Sequence, residues 1–110
     1  AKRSQIEQLG GKVYTGTMVL RNLGTAIRSL QSYSQQDLVA NTLRMFGQGM
    51  KVCVEIVAMA ADAGLIPFED VVAVAGTSQG ADTAVIIRAN SSNNFFQIKV
   101  REILAKPQDF

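Results

Sequence analysis

At 110 residues with 47% hydrophobic content, the chain fits one domain able to bury a core without metals or disulfides. Eleven basic against nine acidic residues leave a net charge of +2, and no run of four Lys and Arg occurs, which argues against nucleic acid or an anionic membrane as partner. Histidine is absent and the single cysteine, Cys53, lies in an apolar run, so the commonest general base, a disulfide framework and a metal cluster are not expected and a reducing cytoplasm is the fitting compartment. No apolar run approaches the roughly 20 residues that span a bilayer, because Asp62 interrupts the longest one.

Lys2 to Leu9 reads as a helix stopped at Gly10-Gly11. The chain opens Ala-Lys-Arg-Ser, without Met and already inside that helix, as a fragment or processed product would. Lys12 to Thr17 is expected as a strand, with Val13, Thr15 and Thr17 on one face. Leu20, Leu23, Ile27 and Leu30 recur at helical spacing, giving an amphipathic helix that ends near Ser32-Tyr33-Ser34. Ser34 and Asp37 have capping-box spacing, and Gly64 with Pro67 supplies a stop, so Gln35 to Ala63 reads as helix. Gly47 and Gly49 fall midway, each costing about 1 kcal/mol against Ala, and predict a kink, a break into two helices, or a close contact.

On a continuous helix, Arg44, Lys51, Glu55 and Asp62 share one narrow stripe, while Met50, Val52, Cys53, Val54, Ile56, Val57 and Met59 fill the rest. Such a helix is buried on several sides. The stripe reads either as two carboxylates lining a pocket or subunit contact, or as a thin solvated edge carrying a Lys51 to Glu55 pair. Cys53 reads as a buried small apolar residue, since nothing nearby would activate a thiol.

The run Val71 to Ala75 is expected as a strand buried on both faces, as in a parallel sheet covered by helices. Thr83 to Arg88 is a second strand, and the loop between them is too short for a parallel crossover, so the pair must be antiparallel. Asn90 to Asn94 reads as a polar turn, and from Phe96 the alternation of Ile98, Val100 and Leu104 with Gln97, Lys99 and Arg101 reads as an edge strand.

The loop Gly76-Thr-Ser-Gln-Gly80, with Asp82 and Thr83 beyond it, carries the candidate site. Gly76 and Gly80 free the amides to turn inward, and Thr77, Ser78 and Thr83 add hydroxyls, with Gln79 solvated beside them. Thr15, Gly16 and Thr17 end the first expected strand in the same Gly-Thr dipeptide. If both strands are parallel members of one sheet, the two turns face one crevice at its carboxyl edge. The bland alternative is glycine for the turn and threonine for local capping. The loop lacks the ending of a P-loop, and a strand rather than a helix follows it, unlike a dinucleotide fingerprint. A monophosphate or a phosphorylated cofactor such as flavin mononucleotide suits it. Asp82 would repel a dianion, so it is expected to accept hydrogen bonds from loop amides and brace the turn.

Thr42-Leu-Arg-Met-Phe-Gly-Gln-Gly-Met-Lys-Val-Cys-Val-Glu-Ile, Met59-Ala-Ala-Asp-Ala-Gly-Leu-Ile-Pro67, Ala75-Gly-Thr with Gly80-Ala-Asp-Thr-Ala84, and Asn94-Phe-Phe with Val100-Arg-Glu-Ile-Leu-Ala-Lys-Pro107 resemble a family of small prokaryotic proteins similar in fold to the C-terminal α/β domain of pyruvate kinase. The resemblance covers most of residues 11–107. It implies a three-layer α/β/α fold with a mixed, mainly parallel sheet, in which this chain is a single unit forming the C-terminal portion of a longer domain. It also implies a regulatory or binding role, since phosphoryl transfer in pyruvate kinase belongs to a separate barrel. The family's loop reads Gly-Thr-Gly-Arg-Gly, and Gly76-Thr-Ser-Gln-Gly80 lacks the arginine.

Three functions stay open from sequence: a binding or sensory domain for a phosphorylated small molecule, an enzyme of unassigned reaction using Asp82, Thr83 or Glu55, or a structural module. The apolar long helix predicts a homo-oligomer.

Overall fold

The computed structural model describes residues 2–16, 19–28, 34–77 and 80–110. Four α-helices precede a three-stranded sheet: α1 (Lys2–Gln8), α2 (Val19–Arg28), α3 (Gln35–Arg44), α4 (Gln48–Asp62), β1 (Asp70–Gly76), β2 (Ala81–Arg88) and β3 (Lys99–Ala105), with a 3-10 segment, Ser92–Gln97, before β3. The class is α/β. Among the described residues no helix is long and apolar enough to cross a membrane.

Local chemistry sets the helix limits. The Ser34 hydroxyl accepts from the Asp37 amide at 3.1 Å, and the Asp37 carboxylate accepts from the Ser34 amide at 3.0 Å, closing the expected capping box at the start of α3. The long helix is divided. Gly47 takes φ of +108°, a conformation open to glycine, and separates α3 from α4. Two residues on, Gly49 makes the expected close contact, for a Cβ there would lie 2.8 Å from Asp82 Oδ1 and 2.8 Å from Thr83 Cβ.

The sheet runs β1-β2-β3 and both pairings are antiparallel, with Val72 opposite Ile86 and Ile87 opposite Val100. The antiparallel β1–β2 hairpin is as expected. A mainly parallel sheet is not what the described residues form. Residues 11–16 have no regular structure, so the strand expected at Lys12 to Thr17 is absent over 12–16, and Thr17 lies outside the described residues. A β-branched run becomes a strand only when it finds a partner, and here none pairs with it. The strand expected from Phe96 begins later, because Phe95 and Phe96 sit in the 3-10 segment and stack edge to face with centroids 5.6 Å apart.

The core lies between α4 and one face of the sheet. Met50, Cys53, Val54 and Val57 of α4 pack on Ala73 and Ala75 of β1 and Val85 and Ile87 of β2. Cys53 is fully buried, and burial raises its thiol pKa, as does the negative charge of Asp82. The opposite sheet face is open. Val72 is 63% and Val74 54% exposed, so β1 is buried on one face rather than two.

The polar stripe of α4 is also corrected. Lys51 and Glu55 do pair, at 2.6 Å, but they are 2% and 1% exposed rather than solvated. The amide of Leu20, in the first turn of α2, donates to Glu55 Oε2 at 3.0 Å. Asp62 is exposed and accepts from the Ser92 amide at 2.8 Å, holding the start of the 3-10 segment.

Candidate functional site

The β1–β2 loop meets the first turn of α4, and Asp82 is the hinge of that meeting. The Thr83 hydroxyl donates to Asp82 Oδ1 at 2.7 Å and the Thr77 hydroxyl to Oδ2 at 2.9 Å. These bonds, the Thr83 hydroxyl first, hold the Asp82 carboxyl below the usual carboxylate range against its desolvation, with lesser help from the amides of Thr77 and Asp82 itself. Asp82 therefore braces the turn from within, chiefly through two hydroxyls rather than through the loop amides its sequence position led us to expect. Its place beside Gly49 also puts its charge at the amino end of α4, where a helix dipole favours an anion. The turn itself is tight: a Cβ on Gly76 would run into the Gly80 carbonyl, and Gly80 has φ of +116°.

Beside this turn lies a cavity of about 310 Å³ lined by Arg44, Gln48, Thr77, Asp82, Pro107, Asp109 and Phe110. Arg44 Nε donates to Gln48 Oε1 at 2.7 Å and Nη1 to Asn41 Oδ1 at 2.8 Å, so its guanidinium is held by neutral amides and keeps its charge for other partners. Lys106 stands over the Phe110 ring with its ammonium 4.8 Å from the centroid.

The structure gathers part of the predicted site. Gly76, Thr77, Gly80, Asp82 and Thr83 form the turn together, while Ser78 and Gln79 lie outside the described residues. Thr15 and Gly16 are not gathered with them. Both are exposed, and no described cavity or hydrogen bond joins them to the turn. The Lys12 ammonium donates to the Leu65 carbonyl at 3.4 Å, tying this segment beyond the far end of α4 from Gly49. Without a strand at 12–16 there is no parallel pair to aim two Gly-Thr turns at one crevice. Glu55 is likewise remote from the turn, engaged with Lys51 and Leu20.

Sequence reasoning missed Arg44 and Gln48 as members of the loop cavity. The signal was the helix break itself: residues flanking a glycine-marked break are free to leave the stripe a continuous helix would impose. Among the described residues no three Cys, Asp or Glu side chains gather as a metal site would require.

Fold and site together define a small α/β domain with a braced hairpin turn against a helix start. No protein-family model matches the chain.

Proposed function

We propose that the chain is a binding domain for a phosphorylated small molecule, with flavin mononucleotide as the type of ligand, and that it has no phosphoenolpyruvate kinase chemistry of its own. The observation that supports this is the meeting of Arg44 and Thr77 on one cavity at the start of α4. The loop carries no arginine of its own among Gly76, Thr77, Ser78, Gln79 and Gly80, and a guanidinium from α3 lines the cavity beside it. A phosphoryl group has there Arg44 as its charged partner and the Gln48 NH2 group as a second donor, beside a turn whose Thr77 hydroxyl is given to Asp82. Pro107 and Phe110 offer apolar surface to the rest of the ligand. Asp82 and Asp109 oppose a dianion, so affinity at this cavity is modest and set largely by the organic part. Asp82, engaged by two hydroxyls, is a brace rather than a catalytic group.

In this reading the chain is the C-terminal portion of a three-layer α/β/α domain of the pyruvate kinase C-terminal type, acting in the cytoplasm. The open side of the sheet at Val72 and Val74 is the side a further helical layer covers. Self-association is the second reading, favoured by the same exposed valines together with Phe96, which is 81% exposed. Sedimentation equilibrium at micromolar concentration is expected to show a dimer or larger species, and a monomer throughout would remove that reading.

Fluorescence titration with flavin mononucleotide tests the ligand assignment. Arg44→Gln and Gly80→Val are each expected to weaken binding by about tenfold, whereas Gln79→Ala changes little. Equal affinity of wild type and both variants, or no saturable binding, would sink the assignment.

A further inference from the structure

A second cavity, of about 350 Å³, lies on the other flank of Arg44 between α2, α3 and the first half of α4. It is built from two matching helical stripes. Arg21, Thr25 and Arg28 recur at spacings of four and three on α2, and Asp37, Ala40 and Arg44 at three and four on α3, so each set shares one face. The helices approach closely at Gly24, where a Cβ would lie 3.1 Å from Asp37 Oδ1. Lys51 of α4 also lines the cavity, although it is 2% exposed.

Charge decides what such a cavity accepts. Its lining holds four cations, Arg21, Arg28, Arg44 and Lys51, against the carboxylate of Asp37. Arg28 is paired with Asp37 and oriented by donation to Thr25 Oγ1 at 3.2 Å, and Lys51 is paired with Glu55. Arg44 is bonded to neutral amides, and among the described residues Arg21 has no carboxylate within ion-pair distance. Among the described residues two guanidinium charges are therefore left without a counter-charge around one half-open cavity. Gln36, on the same wall, has its Oε1 buried without a hydrogen-bond partner. Glu55 faces the amide of Leu20, and its Oε1 meets Lys51 at ion-pair distance without a well-aligned hydrogen bond. A buried ion pair is by itself weak evidence for stability. An anion in the cavity would add a partner for the Lys51 ammonium.

We propose that this cavity is an anion site for a small phosphate monoester, whose dianionic head is held between Arg21 and Arg44 with Lys51 beside it. Two uncompensated positive charges match two negative ones, and the paired N–H groups of a guanidinium suit two oxygens of a phosphate at once. The volume is at the small end for ligand cavities, so the organic part has only a few carbons. Arg44 borders the loop cavity as well, but Thr77, Gly80 and Asp82 take no part in this site, so variants at Arg21 and at Gly80 tell the two apart.

The test uses the whole 110-residue chain, labelled with nitrogen-15, titrated with inorganic phosphate, with glycerol phosphate and with chloride at matched ionic strength. Saturable shifts at Leu20, Arg21, the Gln36 side chain and Ala40 are expected with glycerol phosphate, and weaker ones with inorganic phosphate. Arg21→Gln removes an exposed side chain and should fold normally, as circular dichroism will show, while weakening glycerol phosphate by about tenfold. Arg21→Lys is expected to recover part of that loss, and Gly80→Val to leave the shifts at Arg21 unchanged. No saturable shift up to about 20 mM, a regime weaker than the millimolar binding worth about 4 kcal/mol, would overturn the proposal. So would equal shifts with chloride, wild-type affinity in Arg21→Gln, or inorganic phosphate binding with glycerol phosphate excluded.

Discussion

Replacing Gly49 by alanine tests how tightly the β1–β2 turn is seated on α4. The new methyl carbon would stand 2.8 Å from Thr83 Cβ and 2.8 Å from Asp82 Oδ1, well inside the 3.5 to 4.0 Å at which carbon atoms rest. Thr83 has little room to withdraw: it is 2% exposed, its backbone pairs with Ala75, and its hydroxyl is committed to Asp82. Overpacking of this kind costs about 1–3 kcal/mol, against which the change from glycine to alanine in a helix returns at most about 1 kcal/mol. Contacts this short on a buried residue fall in the upper part of that range, about 2–3 kcal/mol, so the net expectation is a loss of about 1–2 kcal/mol, read as a fall of roughly 5–10 °C in Tm for a chain of this size. Thermal unfolding followed by circular dichroism measures it. Gly47→Ala is the control for a different cause, since a Cβ there meets only the Phe110 ring at 3.9 Å or beyond and the penalty comes from φ of +108°. A Gly49→Ala protein as stable as wild type would refute the close seating and with it the geometry of the turn.

Glu55→Leu strands the Lys51 ammonium and the Leu20 amide together, and should cost about 3–5 kcal/mol in urea unfolding. The double variant Lys51→Met with Glu55→Leu should recover much of that, and a double variant no more stable than the single would contradict the pairing. Acid should weaken the turn in a defined window. The Asp82 pKa is depressed in the folded state, so its contribution is complete above the unfolded value of about 3.9 and is lost as pH falls through the folded value. Asp37, lowered chiefly by its hydrogen bond from Arg28, titrates in the same sense. Asp82→Asn should therefore flatten the fall of the urea midpoint between about pH 5 and 2, and an unchanged acid profile would show that the brace carries no weight. Cys53, buried and with its thiol pKa raised, should react with a thiol reagent at pH 8 only as fast as the protein opens, and immediate reaction in folded protein would count against its burial.

What the sequence disclosed was local. The Ser34 and Asp37 box, the break marked by Gly47, the contact made by Gly49 and the antiparallel hairpin each rest on residues close in sequence or on a glycine with one evident use. Helical periodicity placed Lys51 and Glu55 together, but whether that stripe faced water depended on α2, whose Leu20 amide reaches Glu55 across 35 positions. The same limit explains Val72 and Val74. A continuous apolar run shows that a strand can be buried on both faces, not that both faces are covered. Residues 12–16 had strand composition without a strand partner. The cationic cavity was invisible for a related reason: its four charges are scattered over Arg21, Arg28, Arg44 and Lys51, none adjacent to another, and only the packing of three helices brings them together.

The packing of α4 against the hairpin also bears on the order in which the molecule assembles. The main core is drawn from Met50 to Ala89, one continuous stretch joined by short connections, so most apolar burial needs no distant part of the chain. Contacts this close in sequence carry a small loop-closure penalty and favour rapid collapse. If those contacts form first, Glu55 and Lys51 would keep water until α2 docks and supplies the Leu20 amide. On that order the drying of a buried charge pair would wait for the docking of the helices before α4, with a hydrophobic nucleus already there to receive them.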